Sequence, residues 1–589
     1  MNSLYRFAAL CLFLGGSAVR AAPPKGVPNQ SFPEEDVFTV IAEIPVYDKY
    51  WIDPEWEDME GKVGSDPTIS ILVNEYVLVY SGQILTLFDL SDPYNPAFVH
   101  YRSFEKWIKN QGSLANPDNI GATTAYGGFH IVYMDSSKLN LLDYSTVDYA
   151  DPKSPPVAGY GEVPRPFSSQ ECKDFGKPGG TPAPPYTIAY AWQPPYLYSA
   201  VRGVGIDITR VDDVDNITHV KRIDGWCEEH YPGNVFVVGN LLVFSAAEDK
   251  ASQITTMDIS DPENPVLLQH LTESEAKSAR GLVNGNKFFT AGRDLEIWDI
   301  SDPSNITLLR ELAPSGGVSC AHGSHGGVDT QDGFVFFGAS CNGLRKWNIE
   351  TGELAGSIGM HKDEDDLEWD LDYFTVFGNI VVGSSEDEFQ GTFIIPHQAE
   401  PDNTAPSVNM VVPKDGAVNQ HVKSRVGFTF TDHIDLMSAN TSTIQVMKED
   451  GSVLPGKFAT ARSIVNFTPD QELEPNTSYA VCVPAGGVRD YAGNPTSESF
   501  VSYFSTGSSV EEFDCDCEGG TNVRLSGSRL RSEIGTRTRI MPVMDRDASR
   551  SIGGSARLYD MRGRSVSGSG EALRNLQKGV YISIGGSGR

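Results

Sequence analysis

The chain has 589 residues, 40% hydrophobic and 21% charged, a globular composition with room for several domains. Its net charge is −32, unevenly spread: residues 521–589 hold twelve Arg and one Lys against five acids, which leaves the rest near −40. An acidic body of that size disfavours nucleic acid and anionic membrane as partners and suits calcium or cationic ligands.

The chain opens with Arg6, an apolar run from Phe7 to Leu14 and small residues up to Ala22. That pattern predicts a secretory signal peptide over residues 1–22, too short to anchor in a bilayer, and no later transmembrane span follows. After it, FTVIAEIP at 38–45 reads as a strand with no hairpin before it.

One unit is then written repeatedly. LTLFDLSDPYNPAFVHY (85–101), ITTMDISDPENPVLLQHL (254–271) and LEIWDISDPSNITLLREL (295–312) each give a strand ending in Asp, an SDPxN turn and a second strand. Weaker copies at 139–160, 205–223 and 344–359 place Asp143, Asp207 and Asn348 at the marker position of Asp89, Asp258 and Asp299. Gly- or Asn-centred hairpins of β-rich sequence precede the units, so each repeat predicts one four-stranded blade. A seventh hairpin, at 373–395, lacks a fourth strand, and residues 38–45 are expected to supply it and close a ring of seven blades.

These repeats resemble the LVIVD-repeat propellers of secreted bacterial proteins, over residues 36–398, most specifically in DISDPENP at 258–265. A Pro-rich linker (399–406) follows. Residues 407–507 show short alternating strands and resemble bacterial Ig-like domains through Pro413–Ala417, Phe428–Phe430, Leu473–Tyr479 and Asp490–Asn494. Such domains usually act as spacers or adhesive modules. Residues 508–555 are rich in Ser, Gly and Arg and read as a second linker. Residues 556–589 carry LYDMRGR (558–564) and LQKGVYI (576–582), and are similar to the C-terminal sorting domain of the type IX secretion system. The fold expected is therefore all-β: a seven-bladed β-propeller, an Ig-like β-sandwich and a small C-terminal β sorting domain.

In such a ring the longer loops between blades open on one face, the usual place for ligands. That face gathers Glu228, His230, Arg280, His322, His325 and Trp369 as candidate ligand-binding residues. Asp363, Asp365, Asp366 and Glu368, packed into one short loop, are candidate ligands for calcium, which takes carboxylate oxygens. The loop has no EF-hand spacing, however, and a solvated acidic loop would look the same. There is no GxSxG, HExxH or Walker motif to mark catalysis.

Eight cysteines include Cys11 in the signal segment. Cys320 with Cys341, and Cys172 with Cys227, are predicted at one end of neighbouring strands or loops and are expected to form disulfides in an oxidising compartment. Cys482 lies on an Ig-like strand and is expected to be buried and free, with Cys515 and Cys517 in the linker.

The sequence thus points to an exported cell-surface or secreted binding or adhesion protein of a Gram-negative bacterium. Its partners would be an extracellular polysaccharide or protein, and the secretion machinery through the tail. A metal-assisted hydrolase or lyase at the mouth of the channel is the alternative; it would need a deep pocket with converging acids and bases.

Overall fold

The computed structural model describes residues 29–44, the strands from 67 to 396 with part of the turns between them, residues 392–513 except 436–437, and short stretches from 517 to 583. Among the described residues, apart from one 3-10 turn, Glu34–Asp36, every element is a strand. No helix among the described residues is long and apolar enough to cross a membrane.

Antiparallel four-stranded meanders follow one another over residues 67–103, 120–162, 187–223, 232–271, 280–312 and 328–358. A further sheet contains β1 (Ala42–Ile44), β2 (Tyr373–Phe377), β3 (Ile380–Ser384) and β4 (Thr392–Pro396), in the order β1-β4-β3-β2. In it Ala42 faces Ile394 and Ile44 faces Thr392, so the N-terminal strand completes the last sheet as its sequence predicted. Repeated four-stranded antiparallel sheets of this kind fit a propeller.

The repeat signature has a local physical cause. The carboxylate of Asp89 accepts the Ser91 amide at 2.8 Å, Asp258 the Ser260 amide at 2.7 Å and Asp299 the Ser301 amide at 2.8 Å. Asn348 does the same for Glu350 at 3.0 Å. Each is an Asx turn, in which a short polar side chain replaces a backbone partner where the strand stops. The third copy departs from the sequence reading. Asp207 is not the strand-ending residue: its strand runs Gly205–Asp213, and Asp207 lies mid-strand opposite Ser199. There it is buried and receives the Arg222 guanidinium at 2.8 and 3.1 Å. Arg210, opposite Tyr196 at the start of the neighbouring strand, holds the position that Asp258 and Asp299 hold in their sheets.

Between the sheets the core is aromatic. Phe288, Phe289, Phe336 and Phe337 are fully buried, and one cluster joins Phe236, Val243, Trp298 and Trp347 across three successive meanders.

The sandwich has two sheets. One contains β5 (Val408–Val412), β6 (Val426–Phe430), β8 (Gly456–Ala461) and β9 (Ile464–Pro469), in the order β5-β6-β9-β8. The other contains β7 (Gln445–Lys448), β10 (Ser478–Val483), β11 (Ser499–Ser505) and β12 (Asn522–Val523). Phe428, Phe430, Val465 and Phe467 from the first meet Tyr479, Val481 and Phe504 from the second. Cys482 is not free: it is bonded to Cys517 with a Cα–Cα distance of 6.1 Å. The segment after β11 returns along that sheet, burying Cys517 beside Met447, Val501, Tyr503 and Phe513, and so delivers a partner that the linker composition concealed.

Candidate functional site

The sandwich does not stand apart as a spacer. Its first sheet lies on the hairpin turns of the meanders. Strand alternation explains which atoms meet: Phe428, Phe430, Val465 and Phe467 point into the sandwich, so Gly427, Thr429 and Asn466 point out. Asn466 Oδ1 accepts the Gly239 amide at 2.7 Å and the Gln193 Nε2 at 3.0 Å, while its Nδ2 donates to the Val237 carbonyl at 2.8 Å. The Asn240 side chain accepts the Arg425 amide at 3.0 Å and donates to Ser424 Oγ at 3.0 Å. Thr429 Oγ1 accepts the Gly285 amide at 2.9 Å, and Asn409 Nδ2 donates to Asn284 Oδ1 at 2.6 Å.

Two glycines make this approach possible. A Cβ on Gly427 would overlap the Gly239 amide nitrogen, and Gly239 has φ +57° in its hairpin turn. At one edge the contact becomes sheet pairing, with Phe458, Ala459 and Thr460 of β8 opposite Thr124, Thr123 and Ala122 of the strand Ile120–Ala125.

Further along the interface, charge is buried. Asp329 is fully buried, accepts His433 Nε2 at 2.8 Å and the Val376 amide at 2.9 Å, and has Arg462 Nη1 at 3.5 Å. These partners hold its carboxyl below the usual range against the effect of burial.

Next to this satisfied group is one that is not. Asp332 from a meander hairpin, Asp402 from the inter-domain linker and Asp432 from the loop after β6 each offer an oxygen, and the three oxygens lie within 4.8 Å of one another. Asp332 occupies a hairpin turn with φ +49°, followed by Gly333 at +80°, and donates its amide to the Thr431 carbonyl at 2.9 Å. Asp402 is pinned by Asn29, which donates to its carbonyl at 2.7 Å and accepts its amide at 2.6 Å. Gln331 Nε2 donates to Asp402 Oδ2 at 3.1 Å and to the Gly378 carbonyl at 2.8 Å. Asp402 and Asp432 are 1% and 2% exposed.

Burial, together with the neighbouring Asp402 charge, pushes the Asp332 carboxyl up to about 6. Burial, with Asp332, Asp490 and Asp402 around it, pushes Asp432 well above the carboxylate range. Asp490, buried nearby, is pushed up to about 7. The cationic side is thin. Lys346 is buried, which brings its ammonium down to about 8, and it lies 3.1 Å from His397 Nδ1. Such a cluster can take up protons or an oxygen-seeking cation.

Of the residues singled out from sequence, Glu228, His230, His322, His325 and Trp369 lie outside the described residues, as do Asp363, Asp365, Asp366 and Glu368. So do Cys172, Cys227, Cys320 and Cys341. Arg280 begins the strand Arg280–Asn284, where its backbone pairs with Ala291. The acids that do meet were missed because they are 70 and 30 residues apart along the chain. The local signals were slight: an Asp-Gly hairpin, a PDNT linker and an Asp-His step after a strand.

Residues 402–506 match the family model of the bacterial Ig-like domain. The chain is thus an all-β protein carrying an Ig-like sandwich. No curated protein matches it. The solved structures similar to it include the computationally designed Ika8 protein, at 11% identity with a TM-score of 0.34, covering 57% of this chain and 98% of that one.

Proposed function

We propose that this is an exported surface or secreted binding protein, with a seven-bladed propeller of LVIVD-type repeats presenting its long-loop face to an extracellular polysaccharide or protein. The observation that carries this reading is the docked sandwich. In a propeller the turns within the first hairpin of each blade open on one face and the longer inter-blade segments on the other. The Ig-like domain covers the hairpin turns at Gly239, Gly285 and Asp332, which leaves the opposite face for a ligand. Bacterial Ig-like domains are typical of extracellular proteins, which supports the location. The signal-like residues 1–22 and the sorting-like tail at 556–589 extend the reading to type IX export in a Gram-negative bacterium.

The test is binding of the mature protein to arrayed bacterial and plant polysaccharides and to surface-protein extracts. Replacing Arg280 and Trp369 together by Ala should weaken capture at least tenfold while thermal stability is kept. A ligand bound equally well by that variant, or bound through the Ig-like domain alone, would defeat the proposal. Release of shortened product from a captured polysaccharide would favour the hydrolase or lyase instead.

A further inference from the structure

We infer that Asp332, Asp402 and Asp432 form a calcium site that fastens the Ig-like domain to the propeller-like body. Each ligand comes from a different part of the chain: the body, the linker and the sandwich. The site therefore exists only when the two domains are docked.

Several observations converge on a cation. Carboxylate oxygens gathered within 4.8 Å match the span across an ion with bonds of about 2.3–2.6 Å. Oxygens in and around the cluster also lack partners among the described residues: Asp332 Oδ1, Asp432 Oδ2 and Gln331 Oε1. Gln331, 3% exposed, steadies Asp402 by donating its Nε2 to Oδ2, which leaves Oδ2 oriented within the cluster. Buried acceptors without partners are costly, and acceptors alone cannot satisfy one another.

Charge leads to the same place. Fully ionised, the three carboxylates would carry two negative charges beyond the one buried ammonium near them, that of Lys346 beside Asp332 and Asp402; without a cation, burial drives Asp332 and Asp432 toward the protonated form instead. Neighbouring Asp329 is already matched by His433 and Arg462. His397, whose imidazole is held neutral by burial and by Lys346, adds no charge. Asp490 is held by the amide and side chain of Asn494 at 2.8 and 3.0 Å. A divalent ion balances the excess. An all-oxygen set excludes soft metals, and a largely dry site disfavours magnesium, which gives up its water reluctantly.

The experiment uses the mature full-length chain, freed of metal by chelator, with calcium uptake followed by calorimetry and stability by thermal melting. One calcium should bind at the junction in roughly the 10⁻⁴–10⁻³ M range of extracellular modules and raise the melting temperature by several degrees. Asp432→Asn, which keeps the shape, should weaken that uptake at least tenfold and abolish the shift, yet melt no lower than the wild type in chelator because it replaces a buried carboxyl that burial already drives toward the neutral form. Asp332→Asn carries the same test if Asp432→Asn does not fold. A variant with Asp363, Asp365 and Asp366 changed to Asn should keep the shift. An equal calcium shift in wild type and Asp432→Asn, an equal shift with magnesium, or no uptake at millimolar calcium would overturn the inference.

Discussion

The two sheets of the Ig-like sandwich share one core and differ in how their outer faces are covered. The β7-β10-β11-β12 sheet is sealed locally. Chain that leaves β11 folds back within 20 residues, and the Cys482–Cys517 bond and Phe513 hold it there. The β5-β6-β9-β8 sheet is sealed by residues that precede it by about 200 positions, through amides and hydroxyls rather than a covalent bond. A local cover can be kept by one bond; a distant cover needs many directional contacts that all agree. The first arrangement stabilises a domain, whereas the second specifies how two domains sit together.

The comparison breaks most sharply at the glycine pair. Gly427→Val would force a side chain into the Gly239 backbone and should cost more than about 3 kcal/mol or undock the sandwich. Limited proteolysis of the linker should report the loss, with the isolated Ig-like core still folded. Little change in melting or cleavage would mean the docked sheet tolerates separation.

Replacing Cys482 and Cys517 together by Ala tests the other face. A bond closing a 35-residue separation should contribute about 3–4 kcal/mol, read from denaturant midpoints. Linker cleavage should stay at wild-type levels, because the docked face is untouched.

Acidity offers a third, smaller handle. The folded carboxyl of Asp490 is raised to about 7 from an ordinary 3.8, so its contribution is fully present below about pH 4 and is lost as the pH rises through 7. In chelator, stability should fall by about 2–3 kcal/mol between pH 5 and 8 on account of this group, and Asp490→Asn should flatten that slope. An unchanged slope would assign the pH dependence elsewhere.

Asn466→Ala removes three hydrogen bonds of the docked face and should cost about 1–2 kcal/mol. Asp299→Ala removes one exposed Asx turn and should cost no more than about 1 kcal/mol. Divided by three bonds against one, the two costs compare a buried polar contact with an exposed one.

Much of the fold was legible because its causes are local. Alternation and hairpin turns marked the strands, and the Asp89, Asp258 and Asp299 turns reflect bonds to residues two positions away. Asp207 misled because a degenerate copy kept an Asp near the marker position while the strand ran on to Asp213. The site was illegible for a different reason. Thr429, Asn466 and Arg425 alternate with core residues as a solvent-facing row would, yet they are 0%, 4% and 2% exposed. Period-two patterning says which side faces the sandwich core; it carries no mark of what lies on the other side. The same limit hid Asp332, Asp402 and Asp432, whose meeting depends on docking.

The pairing of β1 with β4 has a consequence in time. Residues 42–44 are made early, and their partners at 392–394 come some 350 residues later. Through most of synthesis the short strand has nothing to pair with, and closing so long a loop comes after the local meanders have formed. The same N-terminal stretch also ties Asn29 to Asp402 and Phe32 to Ala399 at the entrance to the Ig-like domain. Completion of the last sheet and anchoring of the linker therefore become one late event. A chain trimmed before residue 45 lacks the strand that completes the sheet and the Asn29 and Phe32 contacts to the linker.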